Sequence, residues 1–194
     1  GLFRLDIAAN RLKVYGVLKR VQGVNDPNVY MIYKTSDGET FVGTTLGLFR
    51  YERSSDSFLE IPAFDGIFTT SAVEDPLHPG VVWFSSYANG VYCWDSISDK
   101  LVNYDASSGC GLTNDKICSI FIDHKARIWA VGFSIGVAMF DRESGRFTVY
   151  DRRNVQALTS DVFFKALEDK AGNLWLASDE GLVEFNPEIG GGYV

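Results

Sequence analysis

A chain of 194 residues with 46% apolar and 14% aromatic side chains can bury a sizeable core, which excludes a disordered tail. The 25 acidic against 18 basic side chains leave a formal charge of -7, with basic residues scattered singly apart from Arg152 and Arg153, which argues against a nucleic-acid partner. No apolar run approaches the roughly 20 residues of a membrane helix, and the opening GLFRLDIAANRLKVY lacks the charged-then-apolar order of a signal peptide, so the chain as given is expected to be soluble.

In chain order, the first expected strands are GLFRLD from Gly1 and LKVY ending at Tyr15, and both patterns return. GLFRY, GVYCWD, GVAMFD and GLVEFN begin at Gly47, Gly90, Gly136 and Gly181, in steps of 46, 43, 46 and 45. FLEI, LVNY and FTVY end at Ile61, Tyr104 and Tyr150 and keep the same phase. A third marker, aromatic, sits at Phe41, Trp83, Trp129 and Trp175. Three markers thus share a period of about 45 residues.

Within one period, KICSIFID, RIWAVG, GVAMFD and FTVYD are short runs rich in Val, Ile, Phe, Tyr and Trp, separated by the turn-forming DHKA, FSI and RESGR. No window holds apolar residues at helical spacing long enough for a helical solenoid. Four antiparallel strands at this period predict an all-β fold of propeller blades, each small sheet hiding its faces on its neighbours, with the repeated Trp in the core between blades. The expected units are residues 1–18 (third and fourth strands of one blade), 19–63, 64–106 and 107–151 (whole blades), and 152–194 (an incomplete blade ending after its third strand). LKVY could lock a ring as the outer strand after GLVEFN; otherwise open blade faces should lead to self-association.

Successive connections alternate between two rims. One collects Tyr87, Asn89, Asn114, Asp115, Phe133, Arg152 and Asp161, a mixture of aromatic faces, amides, carboxylates and guanidinium that suits a sugar ring and its hydroxyls. The other collects turns such as TSDG, DHKA and RESG and reads as structural. GFSIG (Gly132 to Gly136) matches a nucleophile elbow, but Ser134 falls between two strands, and the aligned loops GTTLG, SYANG and ASDEG do not repeat it. His78 and His124 fall in turns, no EF-hand order is present, and no metal or cofactor is expected. Cys93, Cys110 and Cys118 lack C-x-x-C spacing and read as small buried hydrophobes.

The copies LTNDKICSIFIDHKARIWAVGFSIGVAMFDRESGRFTVYD and LTSDVFFKALEDKAGNLWLASDEGLVEFNPE resemble the two-component regulator propeller repeat, in its Leu-Thr-x-Asp lead, its Asp-x-x-Gly turn, its Leu-Trp and its Gly-Leu. The likeness weakens in the first two copies, where Phe41 replaces Trp and EDPLHPG expands the turn. The resemblance implies part of a larger, seven- or eight-bladed periplasmic sensor propeller of a hybrid two-component protein, responding to glycan fragments without enzymatic activity, with the remainder of the sensor protein as partner. CWD at Cys93 to Asp95 leaves a WD40-like protein-interaction propeller as the alternative, against which the missing Gly-His lead counts.

Overall fold

The computed structural model describes residues 1–15, 27–156, 158–189 and 191–193. The described residues form five antiparallel sheets in which each strand pairs with the next in sequence. The first sheet is β1 (Leu2–Asp6) and β2 (Arg11–Tyr15). The second comprises β3 (Val29–Lys34), β4 (Thr40–Thr44), β5 (Gly47–Glu52) and β6 (Ser57–Glu60). The third comprises β7 (Thr69–Glu74), β8 (Val81–Ser86), β9 (Val91–Asp95) and β10 (Lys100–Tyr104). The fourth comprises β11 (Ile117–Ile122), β12 (Ile128–Gly132), β13 (Val137–Asp141) and β14 (Arg146–Tyr150). The fifth comprises β15 (Phe163–Glu168), β16 (Leu174–Ser178), β17 (Gly181–Asn186) and β18 (Gly191–Tyr193).

Two expectations are corrected. The last sheet does not stop at its third strand: β18 pairs with β17, with Phe185 opposite Gly192. Its Gly-Gly-Tyr carries no β-branched residue and so gives no strand signal, but backbone pairing does not require one. LKVY is not the strand after GLVEFN either: β18 takes that edge of β17, while β2 pairs with β1 in full register from Leu2↔Tyr15 to Asp6↔Arg11. The junction expected at residues 18 and 19 lies outside the described residues.

The chain divides into two compact units, Gly1–Thr69 and Thr70–Val194. In the second unit the sheets stack through alternate residues, as the two-residue period of a strand dictates. Val91 and Cys93 of the third sheet meet Ala138 and Phe140 of the fourth, around the buried Trp83. Val137 and Met139 of the fourth meet Val183 and Phe185 of the fifth, around the fully buried Trp129. In the first unit Leu2, Met31, Phe41, Val42, Leu48, Phe49 and Phe64 are buried.

Turns repeat as faithfully as strands. The connection from β1 to β2, and those from third to fourth strand in the next three sheets, place Asn10, Asp56, Asp99 and Gly145 directly before the following strand, with φ of 48°, 46°, 53° and 68°. These are the residue types that tolerate the left-handed region.

Candidate functional site

The candidate site lies in the second unit, on the loops that follow β8 and β12 and at the start of β15. Tyr87 and Phe133 each stand three residues before the glycine that opens a third strand, where the flanking sheets carry Thr44 and Ser178. Those two hydroxyls serve their own turns, donating to the carbonyls of Gly47 and Gly181 at 3.0 and 2.9 Å. Aromatic rings in that position give up a turn hydrogen bond and gain a flat, half-buried surface.

The two rings touch edge to face, centroids 5.6 Å apart, and Phe133 meets Phe164 in the same way at 5.7 Å. Three blades' worth of sheet therefore supply one continuous aromatic row. Sequence reasoning missed Phe164. Its register shifts between Phe163 and Lys165, a bulge that turns Phe164 outward to 40% exposure, and equivalent shifts occur at Val29/Met31 and Ile117/Ser119. A bulge re-aims one side chain and cannot be read from two-residue alternation.

The polar candidates divide by what they already hold. Asp115 and Asp161 are repeat equivalents, and each builds a loop: the Asp115 carboxylate accepts from the Ala106 N–H at 2.7 Å, and that of Asp161 from the Arg152 N–H at 2.9 Å. Their backbone carbonyls accept from Gly90 and Gly136, both at 3.0 Å, joining each sheet to the next. Asn114 accepts from the Lys116 N–H at 3.0 Å, an Asx turn. Arg152 donates Nε to Asp161 at 3.1 Å while its side chain remains 55% exposed. Asn89 is exposed, its backbone N–H fixed by Ser86 Oγ at 2.7 Å.

The discounted signals have plain structural places. Ser134 sits between β12 and β13 with φ 58°, so the turn it occupies joins strand to strand rather than strand to helix. His78 pairs with Asp75 at 3.2 Å, and His124 pairs with Glu168. The three cysteines are free thiols; burial pushes that of Cys93 up to about 11 and raises that of Cys118. Among the described residues no helix is long and apolar enough to cross a membrane.

No protein-family profile and no curated protein matches the sequence. Solved structures do match. The extracellular domain assigned to the hybrid two component system BT3049 of B. thetaiotaomicron aligns with a TM-score of 0.76 and 20% identity, over 90% of this chain and 26% of that one. The domain of BT4673 from the same organism gives 0.74 and 23%, over 94% of this chain and 24% of that one. A catalytically inactive virginiamycin B lyase from Staphylococcus aureus, with quinupristin, gives 0.68 and 13%, over 96% of this chain and 59% of that one.

The chain shares their β-propeller fold. It spans about a quarter of the length of the two extracellular domains. Because a lyase has the same blades, the fold alone does not decide the chemistry, which lies with the side chains of the rim. On these blades the aromatic row belongs to the rim of variable loops, while the Asp-rich turns of the opposite rim are bonded into the sheets. A signal for the row was present in the sequence: Tyr87 and Phe133 break a position that the repeat otherwise gives to a small hydroxyl residue.

Proposed function

We propose that the chain is part of an extracytoplasmic, non-enzymatic sensor propeller of a two-component signalling protein, and that its ligand is a carbohydrate fragment held on the rim of the second unit. The row Tyr87, Phe133 and Phe164 carries this reading, because flat aromatic surface is what the apolar face of a sugar ring requires. Asn89 and Arg152 supply hydroxyl partners beside it, and Asn114, Asp115 and Asp161 shape the loops. The shared fold with extracellular domains of two-component systems, together with the repeats, supports the sensor role and makes the remainder of such a protein the partner that receives the signal. A signal requires the ligand to bind one arrangement of blades better than another.

Calorimetry of the chain against a panel of neutral and acidic oligosaccharides tests the proposal. Saturable binding of one class is expected, weakened about tenfold by Phe133→Ala through loss of one aromatic contact. Silence across the panel, or binding that Phe133→Ala leaves intact, would reject this site.

A further inference from the structure

In three of the sheets the turn between first and second strands is closed by the same main-chain bond. Thr35, Asp123 and Asp169 each donate N–H to the carbonyl four residues on, that of Glu39, Arg127 and Asn173, at 2.9, 3.1 and 2.9 Å. This bond aligns the turns residue by residue, so that Lys125 stands where the others have Asp37 and Ala171, and Arg127 where they have Glu39 and Asn173. Of the three, the fourth sheet alone places two cations there, in a chain of charge -7. The turn itself does not require them, since the fifth sheet closes the same turn with Ala171 and Asn173.

The two cations border a cavity of about 270 Å³ at the end of the fourth sheet opposite the aromatic row. Its walls also include Leu77 from the first turn of the third sheet, Met139 and Phe140 at the end of β13, and Arg142. The lining carboxylate of Asp141 is spent on its own turn, accepting from the Glu143 N–H at 2.9 Å and the Ser144 hydroxyl at 2.6 Å. Three cations and three apolar side chains therefore border one space.

The partners of these cations differ in how firmly they are held. Arg142 forks onto Asp75 and also reaches the Ala126 carbonyl at 3.0 Å, while Arg127 Nε meets Asp123 at 2.6 Å; both aspartates are buried and fixed. What remains, Arg127 Nη1 and Lys125 Nζ, converges on a single oxygen of Glu188, at 2.8 and 2.9 Å. Glu188 is 53% exposed, in the turn after β17, where its own N–H is held by Asn186 at 2.9 Å. Its one oxygen serves both cations and leaves Arg127 Nη2 buried with no partner among the described residues. The bonds from Lys125 and Arg127 hold the Glu188 carboxyl below its ordinary value, so it is ionised at neutral pH. Exposed pairs of this kind contribute little to stability and are open to exchange.

We infer that the fourth sheet carries a binding site for a small organic acid with an apolar body, and that Glu188 is its built-in competitor. The ligand carboxylate replaces that of Glu188 on Lys125 Nζ and Arg127 Nη1. Free of the tether to β17, it turns its second oxygen to Nη2 and completes the two-oxygen fork that a guanidinium favours. Its apolar body lies against Leu77, Met139 and Phe140. Binding releases the turn of the fifth sheet from that of the fourth. This goes beyond the sensor reading, uses the other rim, and does not depend on any sugar.

The probe is phenylacetate, titrated calorimetrically into the 194-residue chain and into its Glu188→Gln variant, beside phenylacetamide, which has the same shape without the charge, and acetate, which lacks the apolar body. Phenylacetate should bind both proteins saturably, and about fivefold tighter to Glu188→Gln, because the exposed pairs it displaces are weak. The amide and acetate should each bind about tenfold more weakly than phenylacetate, and Lys125→Met added to Glu188→Gln should weaken phenylacetate by about tenfold. A gain of affinity in Glu188→Gln cannot come from loss of the fold. Equal affinity for acid and amide, affinity unchanged or reduced by Glu188→Gln, indifference to Lys125→Met, or no binding of phenylacetate to either protein would each overturn the inference.

Discussion

At the residue scale, the repeat is governed by an aspartate and a tryptophan that occur together. Asp123 is buried and accepts from the backbone N–H of Lys125 and Arg127 at 3.0 and 2.8 Å, from Arg127 Nε at 2.6 Å and from Trp129 Nε1 at 2.9 Å. Asp169 does the same for Ala171, Asn173 and Trp175. Where the indole is absent the carboxylate is absent too: Phe41 goes with Thr35, which occupies the Asp position of the same turn. The third sheet departs in another way. Asp75 there gives both oxygens to Arg142, at 2.6 and 3.0 Å, and Trp83 Nε1 is buried without a partner among the described residues. Trp129→Phe should therefore destabilise the chain by about 1–2 kcal/mol more than Trp83→Phe, since only the former strips a bond from a buried carboxylate. Equal shifts in the urea midpoint would remove this account. Burial alone would raise the Asp123 carboxyl, but the bonds from Trp129 and Arg127 outweigh it and hold the group below its ordinary value. A depressed carboxylate contributes stability that is complete above its unfolded value of about 3.9 and is lost as pH falls through the lower folded value. Urea midpoints of the wild type should thus be flat from pH 8 to about 5 and fall below about 4. Asp123→Asn should start lower, by about 3 kcal/mol, and lose part of that acid dependence.

At the scale of the element, the turns separate positions that need glycine from positions that only tolerate it. Gly136 opens β13 with φ 66°, and a Cβ there would lie 2.1 Å from the carbonyl oxygen of Tyr150, at the point where its own N–H reaches Asp161 of the next loop. Neither neighbour can yield without parting two sheets. Gly136→Ala should cost more than about 2 kcal/mol by combining a clash with backbone strain. Gly145 has a similar φ of 68° but nothing within 4 Å of its Cβ site, and its equivalents are Asn10, Asp56 and Asp99. Gly145→Asn is expected to change stability by less than about 0.5 kcal/mol; thermal unfolding of the two variants side by side checks the pair, and a severe Gly145→Asn effect would contradict the proposed equivalence. The repeated glycines were legible in the sequence as phase markers. Which of them is sterically required was not, because that depends on a carbonyl fourteen residues away in chain and adjacent in space. The bulges that expose Tyr30 and Phe164 were hidden for a related reason: one extra residue in a strand leaves composition and period unchanged.

At the scale of the whole molecule, a period of about 45 residues was enough to give the sheets and their strand order up to β17 and the core places of Trp83 and Trp129, though not β18, and Trp175 is only half-buried; a small sheet can bury its faces only on copies of itself. The rim was less legible. Tyr87 and Phe133 stood out against the repeat, whereas the loop-building roles of Asp115 and Asp161 required the partners nine residues upstream. Stacking of this kind also makes a prediction about cooperativity. The fourth sheet belongs to both clusters of the second unit, so the third and fifth sheets are each tied to it and should open with it. Cys93, on the face of β9 that meets the fourth sheet, and Cys110, buried in the same cluster, are free thiols and natural reporters. With the Cys93 thiol pushed up to about 11 by burial, and further by Asp75, it is almost wholly protonated and unreactive at neutral pH while the sheets are closed. Labelling of Cys93 and Cys110 by a thiol reagent should accordingly be slow, with rates that rise together in urea and follow the loss of native tryptophan fluorescence. Cys118, half-buried at the bulge of β11, should label ahead of both. If Cys93 instead labels with a shallow urea dependence while Cys110 stays protected, the third sheet opens alone, and nearest-neighbour stacking does not bind the unit into one cooperative body.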